Sequence, residues 1–174
     1  MLRSATLSVL VLAAACATTN RAQYGSIRLR HYGDSGATPR VFSVQQGRIV
    51  SPELDVVQDP DGCLRGTARN IPVDLCPAKG TPPPEQPGGK IEQWTGPTGN
   101  VTVELNEHET RLRMDGYLRG GRASGIPLNA TIPLGKGPQW DELRKHPAFL
   151  ALAAGVSGVR GEPTEAAIRE AMDE

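Results

Sequence analysis

DGCLRGTARNIPVDLC, residues 61–76, and DGYLRGGRASGIPLNAT, residues 115–131, share DG, one variable residue, LRG and then IP after a short gap. A block that recurs within one small chain points to a duplicated structural unit. In the first copy Arg69-Asn70 suits a two-residue hairpin turn, because asparagine tolerates φ > 0. From that turn, 68 faces 71, 67 faces 72 and the ladder runs down to 63 facing 76. The turn therefore brings Cys63 opposite Cys76 in a non-hydrogen-bonded pair, where Cα atoms lie about 4.5 Å apart, at the short end of disulfide range. Pro72 also falls at a non-hydrogen-bonded position and is asked for no N–H. Leu64, Gly66 and Ala68 share a core face with Leu75, Val73 and Ile71. The outer face carries the cysteine pair, Arg65 opposite Asp74, and Thr67 opposite Pro72.

The second copy has one residue more before its IP. A three-residue loop, Ala123-Ser124-Gly125, absorbs it, with Gly125 in the left-handed position of a bulged turn. That loop places Leu118 opposite Ala130, Gly120 opposite Leu128 and Arg122 opposite Ile126. On the other face Tyr117 meets Thr131, Arg119 meets Asn129 and Gly121 meets Pro127. The Tyr117–Thr131 pair then stands where the first copy has Cys63–Cys76, an aromatic–β-branched contact in place of a covalent one.

Upstream of each block lie short alternating or apolar runs. VFSV (41–44), GRIVS (47–51) and ELDVV (53–57) precede the first; KIEQWT (90–95), NVTVEL (100–105) and TRLRM (110–114) precede the second. Val101, Val103 and Leu105 alternate with Thr102 and Glu104, the pattern of a half-buried strand. Each half thus reads as five short antiparallel strands, with SIRLRH (26–31) as an extra strand at the start. PAKGTPPPEQPGG (77–89) links repeat one (41–76) to repeat two (90–132) as an extended, proline-stiffened stretch. About fifty residues bury too little apolar surface to fold alone. The expected fold is therefore mainly β: one domain over 25–135, an antiparallel sandwich or barrel made of two pseudo-symmetric five-strand repeats. Residues 136–174 form a short helical tail. QWDELRKH (139–146) is helical, Pro147 opens PAFLALAAGV (147–156), Gly155 and Gly158 end it, and PTEAAIREAMD (163–173) is a third candidate. Phe149, Leu150, Leu152 and Val156 pack on the β unit.

The N-terminus reads as a targeting segment. Met1-Leu2-Arg3 is basic, SATLSVLVLAAA (4–15) is uncharged and mostly apolar, and small residues run into Cys16. The apolar run falls short of the roughly 20 residues that span a bilayer. This segment resembles a bacterial lipoprotein signal, although Leu12 sits one place earlier than the family prefers. The resemblance implies cleavage after residue 15, acylation of Cys16, a tether over 16–24 and, with Ala17 next, the outer membrane of a Gram-negative cell. A plain secretory signal cut near Ala15 or Ala17 is the alternative.

Composition narrows the function classes. Without Arg3 the chain carries 18 basic and 19 acidic residues and a net charge of −1. No basic stripe is left to follow a phosphate backbone, so nucleic acid is not an expected partner. Seven aromatic residues suit a filled core better than a lined pocket. Cys63 and Cys76 lack zinc spacing, and an exported protein favours their disulfide. Glu107-His108-Glu109 reads as a solvated loop and Asp59-Pro60-Asp61-Gly62 as a turn rather than a calcium loop. His31, His108 and His146 lie in separate neighbourhoods, without a nucleophile motif. Neither metal nor cofactor nor catalytic residue is expected. Arg65 and Arg119, equivalent in the two copies, offer a paired anion site, against the simpler role of setting register with Asp74 and Asn129. Trp94 and Tyr117 mark an expected exposed patch for a partner. The expected function is a lipid-anchored envelope protein, an interaction or structural subunit with a protein partner. A small-molecule or lipid-binding β-barrel lipoprotein is the alternative, and an enzyme ranks third.

Overall fold

The computed structural model describes residues 21–32, 38–79, 89–106, 108, 110–120, 125–165, 168 and 169. Among the described residues ten strands follow one another: β1 (Gln23–Leu29), β2 (Arg40–Gln45), β3 (Arg48–Ser51), β4 (Leu54–Gln58), β5 (Leu64–Ala68), β6 (Ile71–Pro77), β7 (Gly89–Gly96), β8 (Gly99–Asn106), β9 (Arg111–Arg119) and β10 (Gly125–Pro133). Helices α1 (Pro138–Lys145) and α2 (Pro147–Ser157) come last. Every strand pairs antiparallel with its neighbours in sequence, so the strands form one meander in a single sheet.

The cysteine hairpin forms as its turn dictates. Arg69 and Asn70 have φ of 47° and 64°, the two positive values of a tight hairpin turn. Ala68 pairs with Ile71, Thr67 with Pro72, Gly66 with Val73, Arg65 with Asp74 and Leu64 with Leu75. One step beyond, Cys63 and Cys76 are joined by a disulfide, with Cα atoms 4.0 Å apart. Gly66 departs from its expected place in the core: it is exposed. Its φ is +148°, and a Cβ there would sit 1.9 Å from the Asp55 carbonyl oxygen. The glycine lets β4 and β5 approach closely.

The second hairpin corrects the sequence-based register by four residues. Leu118 pairs with Ile126, Tyr117 with Pro127, Gly116 with Leu128, Asp115 with Asn129 and Arg113 with Thr131. Tyr117 therefore does not face Thr131, and Arg119 pairs with Gly125 rather than Asn129. The expected register around Ala123-Ser124-Gly125 fails because Arg119 pairs with Gly125; residues 121–124 lie outside the described set. A slip of four, an even number, keeps Leu118, Ile126, Leu128 and Ala130 on the core face, where all four are buried. TRLRM and DGYLR also fuse into the single strand β9, so the second half has four strands after the linker rather than five.

A repeat is nonetheless present in the pairing. Ile49–Val56–Gly66–Val73 runs across β3 to β6. Trp94–Val101–Gly116–Leu128 runs across β7 to β10 in the same order. The repeated unit is a four-strand meander, preceded once by β1 and β2. β6 and β7 join the halves through Cys76↔Thr95 and Pro77↔Trp94.

Helix α2 explains the shape of the sheet. Ten of its eleven residues, Pro147 to Val156, are buried, and it touches β1, β4, β8 and β10. Ten strands at about 4.8 Å spacing make a flat sheet about 43 Å wide, several times the roughly 10 Å width of a helix. One helix reaches strands that distant only if the sheet curls around it, and the sheet forms a half-barrel. PAFLALAAGVS is apolar on all sides, as a helix enclosed on all sides requires. Gly155 lies inside the helix instead of ending it. A Cβ there would meet Leu128 Cδ2 at 2.3 Å, so its absence lets α2 settle onto β10. Gly158, with φ of 75°, is the left-handed cap that ends the helix.

Near the open seam the Tyr32 hydroxyl donates to the Thr131 carbonyl at 2.9 Å, and Gly161 bridges Ala130 at the free edge of β10. In the third helical candidate, Ile168 N–H donates to Thr164 C=O. Residues 166, 167 and 170–174 lie outside the described set.

Candidate functional site

The residues singled out by sequence do not gather into one site. Cys16, Glu107 and Glu109 lie outside the described residues, and His108 is exposed. Trp94 is 5% exposed, part of the core, and its indole N–H reaches the Gly62 carbonyl at 3.3 Å. Tyr117 is 42% exposed and lies on the other face of the sheet, where it pairs with Asn100 and Pro127. The expected Trp94–Tyr117 surface patch is therefore not formed, because strand alternation sends the two rings to opposite sides. Arg65 is met by Asp59 at 2.6 Å, Asp74 at 2.8 Å and Asp61 at 3.8 Å. The hydrogen bond to Asp59, then the charge of Asp74, hold its guanidinium above its ordinary pKa. Three carboxylates already neutralise this arginine, which counts against an anion site. Arg119 projects from the exposed face of β9, on a different strand pair. Asp59-Pro60-Asp61-Gly62 is a turn closed by Gly62 N–H on Asp59 C=O at 2.9 Å. Among the described residues no group of three His, Cys, Asp or Glu side chains is placed to hold a metal ion.

Polar groups converge instead at one rim of the half-barrel. An open cleft of about 630 Å³ lies between the β2–β3 turn, the end of β4 and the joint between α1 and α2; Arg21, Gln58, Asp59, Lys145 and His146 line it. Behind it stands Glu142, a carboxylate only 4% exposed. Helix α1 begins at Pro138 and carries Glu142 one turn before His146, so the two side chains share a face. Glu142 Oε1 accepts the Gly47 N–H at 2.9 Å, which fastens the helix to the β2–β3 turn. His146 Nε2 lies 3.4 Å from the same oxygen, and Lys145 Nζ lies 3.7 Å from Oε2.

Gln58 sets the state of the imidazole. Its Nε2 donates to Gly62 C=O at 3.1 Å, which turns its Oε1 to His146 Nδ1 in a short hydrogen bond. An amide oxygen only accepts, so Nδ1 carries a proton. Burial of the ring pushes its pKa below the usual histidine value. Glu142 pulls it up, Lys145 pushes it down and Glu92 pulls it up by smaller amounts. Arg21 is fixed by donating to the carbonyls of Gln46 and Gly47 at 2.9 and 3.1 Å.

This arrangement offers an oriented imidazole, two cationic side chains and several amide and carbonyl groups, the equipment to bind a small polar molecule. Among the described residues that line the cleft, none carries a hydroxyl or a thiol. Sequence reasoning treated His146 as isolated. The signal that would have found it is the i, i+4 spacing of Glu142 and His146 on a helix already expected there. No family model matches the chain, and neither a curated protein nor a solved structure matches it.

Proposed function

We propose that the protein is an exported, lipid-anchored envelope protein that serves as an interaction or structural subunit. The observation that carries this reading is the filled interior. Helix α2 occupies the concavity of the sheet with Phe149, Leu150 and Leu152 at 0% exposure, which leaves function to the outer face, the loops and the rim. The Cys63–Cys76 disulfide suits an oxidising compartment. Among the described residues no helix is long and apolar enough to cross a membrane, and attachment in this reading comes from acylated Cys16, for which several acyl chains give stable binding. The test has two arms. Mass spectrometry and fractionation of the wild type and Cys16→Ser read the anchor: the wild type carries the acyl mass and sediments with membranes, and the variant loses both. A photo-cross-linker at position 117, on the exposed face, reads the partner: one discrete adduct supports the subunit role, and its absence from correctly folded, anchored protein counts against it.

A second reading, a small-molecule-binding lipoprotein, is favoured by the rim cleft rather than by the barrel interior. Equilibrium dialysis of the full chain against a small-molecule extract of the envelope tests it. A retained compound lost in Lys145→Ala and His146→Gln supports the reading, and retention unchanged in both variants removes it.

A further inference from the structure

The disulfide and the cleft histidine are connected through one carbonyl. The β5–β6 ladder ends at Leu64↔Leu75, so the turn at residues 59–63 has no ladder bond to β6. Arg65 links Asp59 and Asp61 of that turn to Asp74 of β6 through exposed ion pairs, and the covalent tie is the Cys63–Cys76 bond, with Gly62 seated against Pro77 so closely that a Cβ would lie 3.1 Å from Pro77 Cγ. Gly62 C=O then receives both the Trp94 indole N–H and the Gln58 amide N–H. Gln58, so oriented, presents its oxygen to His146 Nδ1. His146 caps the end of α1, and Phe149, one turn into α2, lies with its ring centroid 5.5 Å away.

We propose that the rim cleft is assembled by oxidation: the Cys63–Cys76 bond fixes Gly62, Gly62 fixes the Gln58 amide, and Gln58 holds His146 with its proton on Nδ1. The dithiol form keeps the sheet and the helices but loses the order of the cleft. The bond forms by thiol–disulfide exchange. One cysteine thiolate attacks a disulfide of an exchange partner, and the second displaces the mixed disulfide. The partner leaves as a dithiol carrying the two electrons, while two protons are redistributed. Gln58 is a positioning residue in this scheme, acting through His146. The inference goes beyond the subunit role and depends neither on acylation nor on a protein partner. Its consequence is that the cleft is unformed on a newly made, reduced chain and forms only where cysteines are oxidised.

The groups facing His146 are Glu142 and Lys145 from α1, Glu92 from β7, Asp59 after β4 and Arg21 before β1. Reduction changes the chemistry of none of them, and only Asp59 belongs to the turn that the disulfide holds; Gln58→Ala, which leaves that turn bonded, separates the relay from a shift of Asp59. The experiment records side-chain 15N spectra of His146 in four samples. They are the oxidised full chain, the same chain after dithiothreitol, Cys63→Ala/Cys76→Ala, and Gln58→Ala with the disulfide intact. Backbone amides of β10 and of residues 150–156 report the fold. In the oxidised chain the ring is expected to carry its proton mainly on Nδ1. In the other three samples it shifts toward the Nε2-protonated form of an unconstrained imidazole, while the fold amides stay in place. An unchanged ring on reduction overturns the proposal. Loss of the β10 and α2 amides on reduction overturns it too, because the disulfide is then a staple for the whole fold. An unchanged ring in Gln58→Ala removes the relay.

Discussion

The four-strand meanders β3–β6 and β7–β10 share a pairing pattern but not the sequence alignment that first suggested them. By sequence, DGCLRG aligns with DGYLRG, which matches Gly66 to Gly120. By pairing, Gly66 corresponds to Gly116: each crosses its sheet beside a valine of the preceding strand, Val56 or Val101. Their φ values are +148° and +150°, and a Cβ on either would lie within 2.3 Å of the preceding strand's carbonyl oxygen. What both halves preserve is a glycine where two backbones meet too closely for a side chain. The visible motif sits differently around it because of residue 60. Pro60 takes the second place of the Asp59–Gly62 turn and stops β4, so the first DG lies in a turn. Met114 stands in the aligned place of the second copy, and β9 runs straight through its DG. The cystine likewise has Arg113↔Thr131, not Tyr117–Thr131, as its counterpart.

Substitutions that exchange these features test the comparison. Met114→Pro removes a buried side chain and a ladder donor in the interior of β9, and is expected to cost more than about 3 kcal/mol and to abolish cooperative melting in circular dichroism. Cys63→Ala/Cys76→Ala is expected to lower the unfolding free energy by about 3 kcal/mol in urea titration. Tyr117→Ala, at an exposed position, is expected to change it by less than about 0.5 kcal/mol. Gly66→Ala and Gly116→Ala should resemble each other, each costing about 1–3 kcal/mol through a forced backbone shift. A large effect at one and none at the other breaks the proposed equivalence.

The smallest effect belongs to His146, whose region has no counterpart in either half. Its folded pKa is lowered, so the unfolded chain takes up the proton first as pH falls. Its contribution is complete above the free histidine value near 6.5 and is lost as pH falls from there through the folded value. Melting temperatures of the wild type and His146→Gln are expected to converge on acidification, and parallel curves would show that the ring titrates alike in both states.

The sequence made the first hairpin legible because Arg69-Asn70 admits one turn, and one turn fixes every pair below it. The second hairpin was not legible, since GGRASG offers several places to turn and alternation alone cannot separate registers an even number apart. The helices were legible from Pro147 and the apolar run, but the enclosing role of α2 was not. Only its apolar character on every side hinted that the sheet would curl around it. The rim cleft was hidden because residues 21, 58 and 146 are distant in sequence and individually ordinary. Trp94 was misplaced because an aromatic on an alternating strand does not announce which face is inner.

Native-state hydrogen exchange of α2 tests the filled half-barrel most directly. If the helix is the core around which the sheet curls, the amides of residues 151–156 exchange only by global unfolding, as slowly as those of β8 and β9 and with the same denaturant dependence. Exchange of α2 within minutes under native conditions, while β8 and β9 remain protected, would mean that the helix leaves the concavity readily. The interior would then be available to a ligand, contrary to the account.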